Sequence, residues 1–232
     1  MDPKIEREKE QKMITIPVVV RNWSIKTPEV YRYLDQMYID EFFNTGRLRL
    51  GTFAQFKKYP DEQRGDNTEG KNVLFGFGDG KTIVALTQHG VNSFILCTST
   101  VDNKDLMKKF NANGYFKIKD STGFGAAISN RIPGFLDGIE GFCKYSEQRN
   151  IQRQLPDFKF EDLKAGPEGD QIGLDKLFAL TGQIGREDVF FIKHKSFIHQ
   201  NEYRFVWNVS HPTDEAIIIE CPEAVNFCEK VT

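Results

Sequence analysis

The chain has 232 residues, of which 39% are hydrophobic and 28% charged, and a formal net charge of −2. It is long enough for one sizeable core, too nearly neutral for a global pull on nucleic acid or an anionic membrane, and lacks an apolar run near the roughly 20 residues of a membrane span. Cys97, Cys143, Cys221 and Cys228 show neither CxxC spacing nor histidines at ligand spacing, which argues against a zinc site and a disulfide framework and for a reduced, cytoplasmic chain.

In chain order, residues 1–13 read as a charged tail without the apolar stretch of a signal peptide, and 14–232 as a single domain opening on ITIPVVV, with Pro17 at a sheet edge. VYRYL (30–34) reads as a strand, and Asp35 as the N-cap of a helix ending at Gly46. RLRLGTF reads as a strand, 59–70 as a loop and SFILCTST as a buried strand. A short helix over 104–110, a strand YFKIKD and a helix over 121–128 follow. GFGDG (76–80) is a turn, with no GK[ST] to make it a phosphate loop. Residues 144–173 are the least regular stretch and read as a long mobile excursion. The helix LDKLFAL and the strands VFFIKHKSF and EAIIIEC complete an α+β pattern without βαβ rhythm or a dinucleotide fingerprint. The 20 phenylalanines, mostly in alternating or helical positions, suit a sheet packed with aromatics.

The stretch KHKSFIHQNEYRFVWNV (193–209) organises the rest. With strand period it sets Asn201, Tyr203, Phe205 and Trp207 on an apolar face and Gln200, Glu202 and Arg204 on a polar one. Such a polar face is either the floor of a site or a place where Glu202 and Arg204 pair with each other or with charges on neighbouring strands.

Arg32 in VYRYL, Thr98, Ser99 and Thr100 in LCTST, and Gln200, Asn201 and Glu202 in QNE stand in the order of an Arg, an STS-like triplet and a QxE. Over residues 30–209 the chain resembles bacterial proteins related to the ADP-ribosyltransferase superfamily. It departs from that pattern in having TST for STS and about a hundred residues between the triplet and Gln200. The resemblance implies a split mixed or antiparallel β-sheet core with flanking helices. It implies NAD as the substrate, and transfer of ADP-ribose to a macromolecular acceptor, RNA, DNA or protein. The role it suggests is that of a toxin or anti-phage effector, with an antitoxin as a possible partner and no membrane.

In this reading Glu202 stabilises the oxocarbenium-like ribose formed as nicotinamide leaves. Ser99 orients it, Thr98 and Thr100 on either side contribute to binding NAD, and Gln200 meets the acceptor. Arg32 holds the pyrophosphate, Arg64 adds a second phosphate contact, and Tyr33, Phe53 or Phe56 form an aromatic wall for the cationic ring. These residues are expected to converge on one cleft. The mixed cations and aromatics of the excursion, Arg149 and Arg153 among them, suit contact with the acceptor. His194 and His199 read as packing or rim residues. Two other classes remain open: a metal-dependent nuclease using Asp61, Glu62, Asp66 and Glu69 as oxygen ligands, and a binding module without turnover.

Overall fold

The computed structural model describes residues 28–58, 65–66, 68–166 and 171–231. The expected ITIPVVV strand, the charged tail, Asp61, Glu62 and Arg64 lie outside them. The described residues form an α+β fold with a large antiparallel sheet, a smaller mixed sheet and several helices. None of the described helices is long and apolar enough to cross a membrane.

The strands are β1 (Val30–Leu34), β2 (Arg47–Thr52), β3 (Lys71–Gly78), β4 (Lys81–Gln88), β5 (Ser93–Ser99), β6 (Gly114–Ile118), β7 (Phe135–Phe142), β8 (Lys144–Ser146), β9 (Asn150–Gln154), β10 (Ile192–His194), β11 (Glu202–Val209), β12 (Ile217–Glu220) and β13 (Cys228–Lys230). The helices are α1 (Gln36–Thr45), α2 (Phe53–Lys58), α3 (Lys104–Lys109), α4 (Ser121–Ser129), α5 (Leu174–Gly185) and α6 (Pro222–Val225). The large sheet runs β12-β2-β5-β1-β6-β13, with β11 also on β5 and β7 beyond β11; the small one runs β4-β3-β9, and β8 pairs in parallel with β10.

Capping residues set several boundaries. Asn103 accepts from the amides of Asp105 and Leu106 at the start of α3, and Asp120 from Gly123 at the start of α4. Helix α1 ends where Gly46 adopts φ 74° and returns its amide to the Phe42 carbonyl. One face of the large sheet is sealed by α1, α4 and α6. Ile39 and Phe42 of α1 and Phe124 and Ile128 of α4 pack on Leu96, Phe116, Phe205 and Trp207. The other face meets the small sheet and α5 through Phe53, Ile95 and Val206, with Leu74, Ile151, Leu180 and Ile184 behind.

The geometry of β5 decides where a site can form. One edge pairs with β11 from Ser93 to Ser99. The other is approached by both β1 and β2, the two strands of a crossover through α1. By register, Arg32–Leu34 and Leu48–Leu50 would fall opposite the same three residues, Leu96 to Thr98. Two strands cannot occupy one edge, so β1 touches β5 only at Tyr31↔Ser99 and β2 only at Gly51↔Ile95 and Thr52↔Phe94. The sheet splits between them.

Several expectations need correcting. Residues 144–173 are not a structureless excursion: β8 aligns with β10 and β9 with β3, and a 3-10 turn, Phe160–Leu163, follows. The hairpin β3–β4 and strand β7 went unpredicted; GFGDG supplies the end of β3 and the turn at Asp79 and Gly80. The expected strand VFFIKHKSF is strand only over Ile192–His194, between 3-10 turns at Arg186–Phe190 and Lys195–Gln200. The following strand starts at Glu202. Asn201 is therefore exposed and left-handed, φ 43°, instead of lying on the apolar face.

Gly46 joins α1 to the C-terminal segment, its carbonyl accepting from the Cys221 amide at 2.9 Å. A Cβ there would sit 2.2 Å from the Pro222 nitrogen. Gly46→Ala is expected to lower unfolding free energy by about 2 kcal/mol or more, combining the left-handed penalty with a backbone clash. Gly182→Ala, in the open interior of α5 with nothing within 4 Å of its Cβ, is expected to gain roughly 0.5–1 kcal/mol. Urea midpoints of the two variants check the pair.

Candidate active site

The split opens into a cleft of about 680 Å³ bounded by β1, β2, β5 and the start of β11. Register aligns four residues in one row across the sheet: Lys117 on β6, Tyr31 on β1, Ser99 on β5 and Glu202 on β11. Residues directly opposite in antiparallel strands share a face, so Tyr31, Ser99 and Glu202 look out on the same side. Cys97 and Arg204 form the next row on that side.

Beneath the cleft lies a buried cluster of two cations and two anions. Glu202 is 4% exposed and Arg204 1%. The Lys193 ammonium donates to one oxygen of Glu202 and, at 2.7 Å, to the Gln200 amide oxygen. Arg204 donates through Nε to the other Glu202 oxygen at 2.5 Å, and through both terminal nitrogens to Glu69 at 2.8 and 3.1 Å. It also donates to the Phe190 carbonyl at 2.8 Å and lies 5.9 Å from the Phe53 ring centre. Burial alone would raise the Glu202 carboxyl, but Arg204 and Lys193 outweigh it and hold the group well below the usual carboxylate range. Burial likewise works to lower the Lys193 ammonium, and Glu202 more than offsets it. Burial, with Glu202 beside it, pushes the Cys97 thiol well up, so the thiol stays protonated and is a poor nucleophile.

The predicted residues divide. Arg32, Tyr33, Thr98, Ser99, Gln200, Glu202 and Phe56 all line the cleft. Arg32 reaches it from the other face: its register partner is Phe116 of the core, and its guanidinium enters the gap to donate to the Cys97 carbonyl at 2.5 Å. The Ser99 hydroxyl donates to the Gln200 carbonyl at 2.8 Å, so it braces the turn leading into Glu202 instead of the carboxylate itself. Thr98 lies on the core face and donates to the Tyr203 carbonyl, and Thr100, outside the cleft, donates to that of Asn201. Gln200 is buried, not turned to an acceptor. The Tyr33 hydroxyl bonds to Val101 and Asn103 of the loop before α3. Phe53 is not a cleft wall: it is buried against Ile95 and Val206.

Arg149 and Arg153, expected at the acceptor, both make internal ties. Arg149 is buried, paired with Asp66 and bonded to the Thr68 carbonyl at 2.9 Å. Arg153 is bonded to the Ile184 carbonyl at 2.9 Å and to Asp188 at 3.0 Å. Of the acidic loop's described carboxylates, Asp66 pairs with Arg149 and Glu69 with Arg204. Among the described residues, no group of three His, Cys, Asp or Glu is arranged to hold a metal ion. His194 caps the 3-10 turn Lys195–Gln200, and His199 bonds back within it.

Sequence reasoning missed Lys193, Tyr31 and the cleft-facing Arg49, and read Tyr145 only as one of the aromatics of the 144–173 stretch. The Glu202–Arg204 pairing was visible as two opposite charges two residues apart on a strand. A scan against protein-family models, a search of curated proteins and a search of solved structures each found no match.

Replacing Arg204 with Met strands the buried Glu69 carboxylate, leaves Glu202 with Lys193 alone, and is expected to cost about 3–5 kcal/mol in chemical denaturation. The Glu202 carboxyl is lowered on folding, so its contribution is present above pH 4.5 and is lost as pH falls below that value toward the folded-state one. The Lys193 ammonium is raised, so its contribution is present below pH 10.5 and is lost as pH rises above it. Glu202→Gln is expected to flatten the acid side of the stability–pH curve.

Proposed function

We propose that the chain is an NAD-consuming transferase of ADP-ribosyltransferase-like fold that places ADP-ribose on a macromolecular acceptor, as a bacterial toxin or anti-phage effector. The observation that carries the reading is the Tyr31–Ser99–Glu202 row at the split, with an ionised carboxylate at the base of a cleft of about 680 Å³. Volumes of about 300–1,000 Å³ are usual for small-molecule and cofactor sites.

The chemistry needs few groups. The bond between ribose C1′ and the nicotinamide nitrogen breaks with its electron pair going to nicotinamide. The ribose becomes oxocarbenium-like, and the acceptor nucleophile then bonds to C1′ and loses its proton. A fixed carboxylate near C1′ stabilises that developing positive charge, and because the cluster keeps Glu202 ionised it needs no proton transfer to act. Tyr31, beside Ser99 in the row, presents a ring suited to the cationic nicotinamide. Arg49 on β2 and the Arg32 guanidinium in the gap provide positive charge for the pyrophosphate.

One observation favours a second reading, a module that binds NAD without turning it over. Both Glu202 oxygens already face cations, which diminishes the negative potential left for a ribosyl cation. Nicotinamide release from NAD by wild type and Glu202→Gln, with NAD affinity measured by calorimetry, separates the two. The transferase reading expects wild-type release and a loss of roughly 10²–10³-fold in the variant with affinity little changed. Binding by wild type without release gives the second reading, and near-normal release by the variant removes Glu202 from catalysis.

A further inference from the structure

The stretch expected to be an irregular excursion supplies support to the base of the cleft. Strand β8 pairs in parallel with β10, and that register aligns Tyr145 with Lys193. From this one pair come two holds on the same residue. The Lys193 ammonium meets the Glu202 carboxylate, and the Tyr145 hydroxyl accepts from the Glu202 backbone amide at 2.8 Å. Lys193 also donates to the Gln200 amide oxygen at 2.7 Å, and its ammonium lies 4.6 Å from the centre of the Phe197 ring.

We infer that Lys193 is a positioning residue: carried on the β8–β10 ribbon, it fixes the direction of the Glu202 carboxylate and of the Gln200 amide at the base of the cleft. A buried ion pair is a poor source of stability, because desolvation of two charges cancels most of their attraction. Its use is geometric. An ammonium has three donors and no acceptor, so Gln200 must turn its amide oxygen toward Lys193, and Glu202 must keep one oxygen there while Arg204 holds the other. The functional part of this inference rests on the reading of Glu202 as the carboxylate beside the reacting ribose. The groups facing Glu202 are Lys193 from β10, Arg204 from β11 with Glu69 behind it, Cys97 from β5, Cys143 after β7 and Tyr145 from β8.

The test is carboxyl ¹³C NMR of the full chain across pH, with the Glu202 signal identified by its absence in Glu202→Gln. In Lys193→Met, loss of one of two adjacent cations is expected to raise the Glu202 midpoint by about one pH unit or more. Nicotinamide release is expected to lose kcat while KM for NAD stays within about threefold, with Lys193→Arg recovering part of the kcat. An unchanged Glu202 midpoint in Lys193→Met overturns the inference and leaves the transferase reading standing. Absence of nicotinamide release by wild type removes the transferase reading and leaves the NMR result to decide the positioning. If Lys193→Met does not fold, the ¹⁵Nζ signal of Lys193 in the wild type decides. Slow exchange of its ammonium protons and a displaced signal in Glu202→Gln support the inference, whereas exchange at the solvent rate or a signal unmoved by that substitution overturns it.

Discussion

A single strand edge cannot be shared, and the site follows from that constraint. Both β1 and β2 are in register to pair with Leu96 to Thr98 of β5, and each keeps only the end of its pairing. The gap leaves unpaired strand backbone at the middle of a sheet, where exposed polar groups are costly. Arg32 relieves part of that cost by donating to the Cys97 carbonyl. On its far edge β5 is held along its whole length by β11, so the gap opens without loosening the centre of the sheet.

Charge placement follows from the same arrangement. The side of β11 that faces Phe124 and the rest of the large core is apolar, with Phe205 and Trp207 stacked at 5.8 Å between ring centres. Its other side passes under the cleft, and Glu202 and Arg204 are buried there with Lys193 and Glu69 as partners. Two anions and two cations balance, which is what permits ionised groups to remain where water is largely excluded. The two cations that hold Glu202 come from β10 and from β11 itself, so the carboxylate cannot rotate without breaking a contact to one or the other. A rigidly directed carboxylate is the form in which such a group stabilises positive charge on a substrate.

Local patterns in the sequence carried the elements whose boundaries are set locally. Asp35 and Gly46 bracket α1, residues 121–128 fall within α4, and the alternation of Tyr203, Phe205 and Trp207 gives the buried face of β11. What was not legible depends on partners distant in the chain. Strands β8 and β9 are short, polar-rich segments that become strands because β10 and β3 lie beside them. Arg149 and Arg153 read as surface cations because Asp66, about eighty residues away, and Asp188 are invisible to a local window. Lys193 carries no spacing signal at all, since its role depends on the 3-10 turn that folds Gln200 and Glu202 back onto it. Strand period also placed Gln200 on the polar face, but the strand does not begin until Glu202.

The split between β1 and β2 is the proposed nucleotide site. Titration of NAD into isotopically labelled protein, followed by chemical-shift mapping, tests it most directly. Saturable shifts are expected to centre on Tyr31, Arg49, Cys97, Ser99 and Glu202, residues that border the cleft. Shifts confined to another surface, such as the β3–β4 hairpin, or none with NAD in large excess, would contradict it.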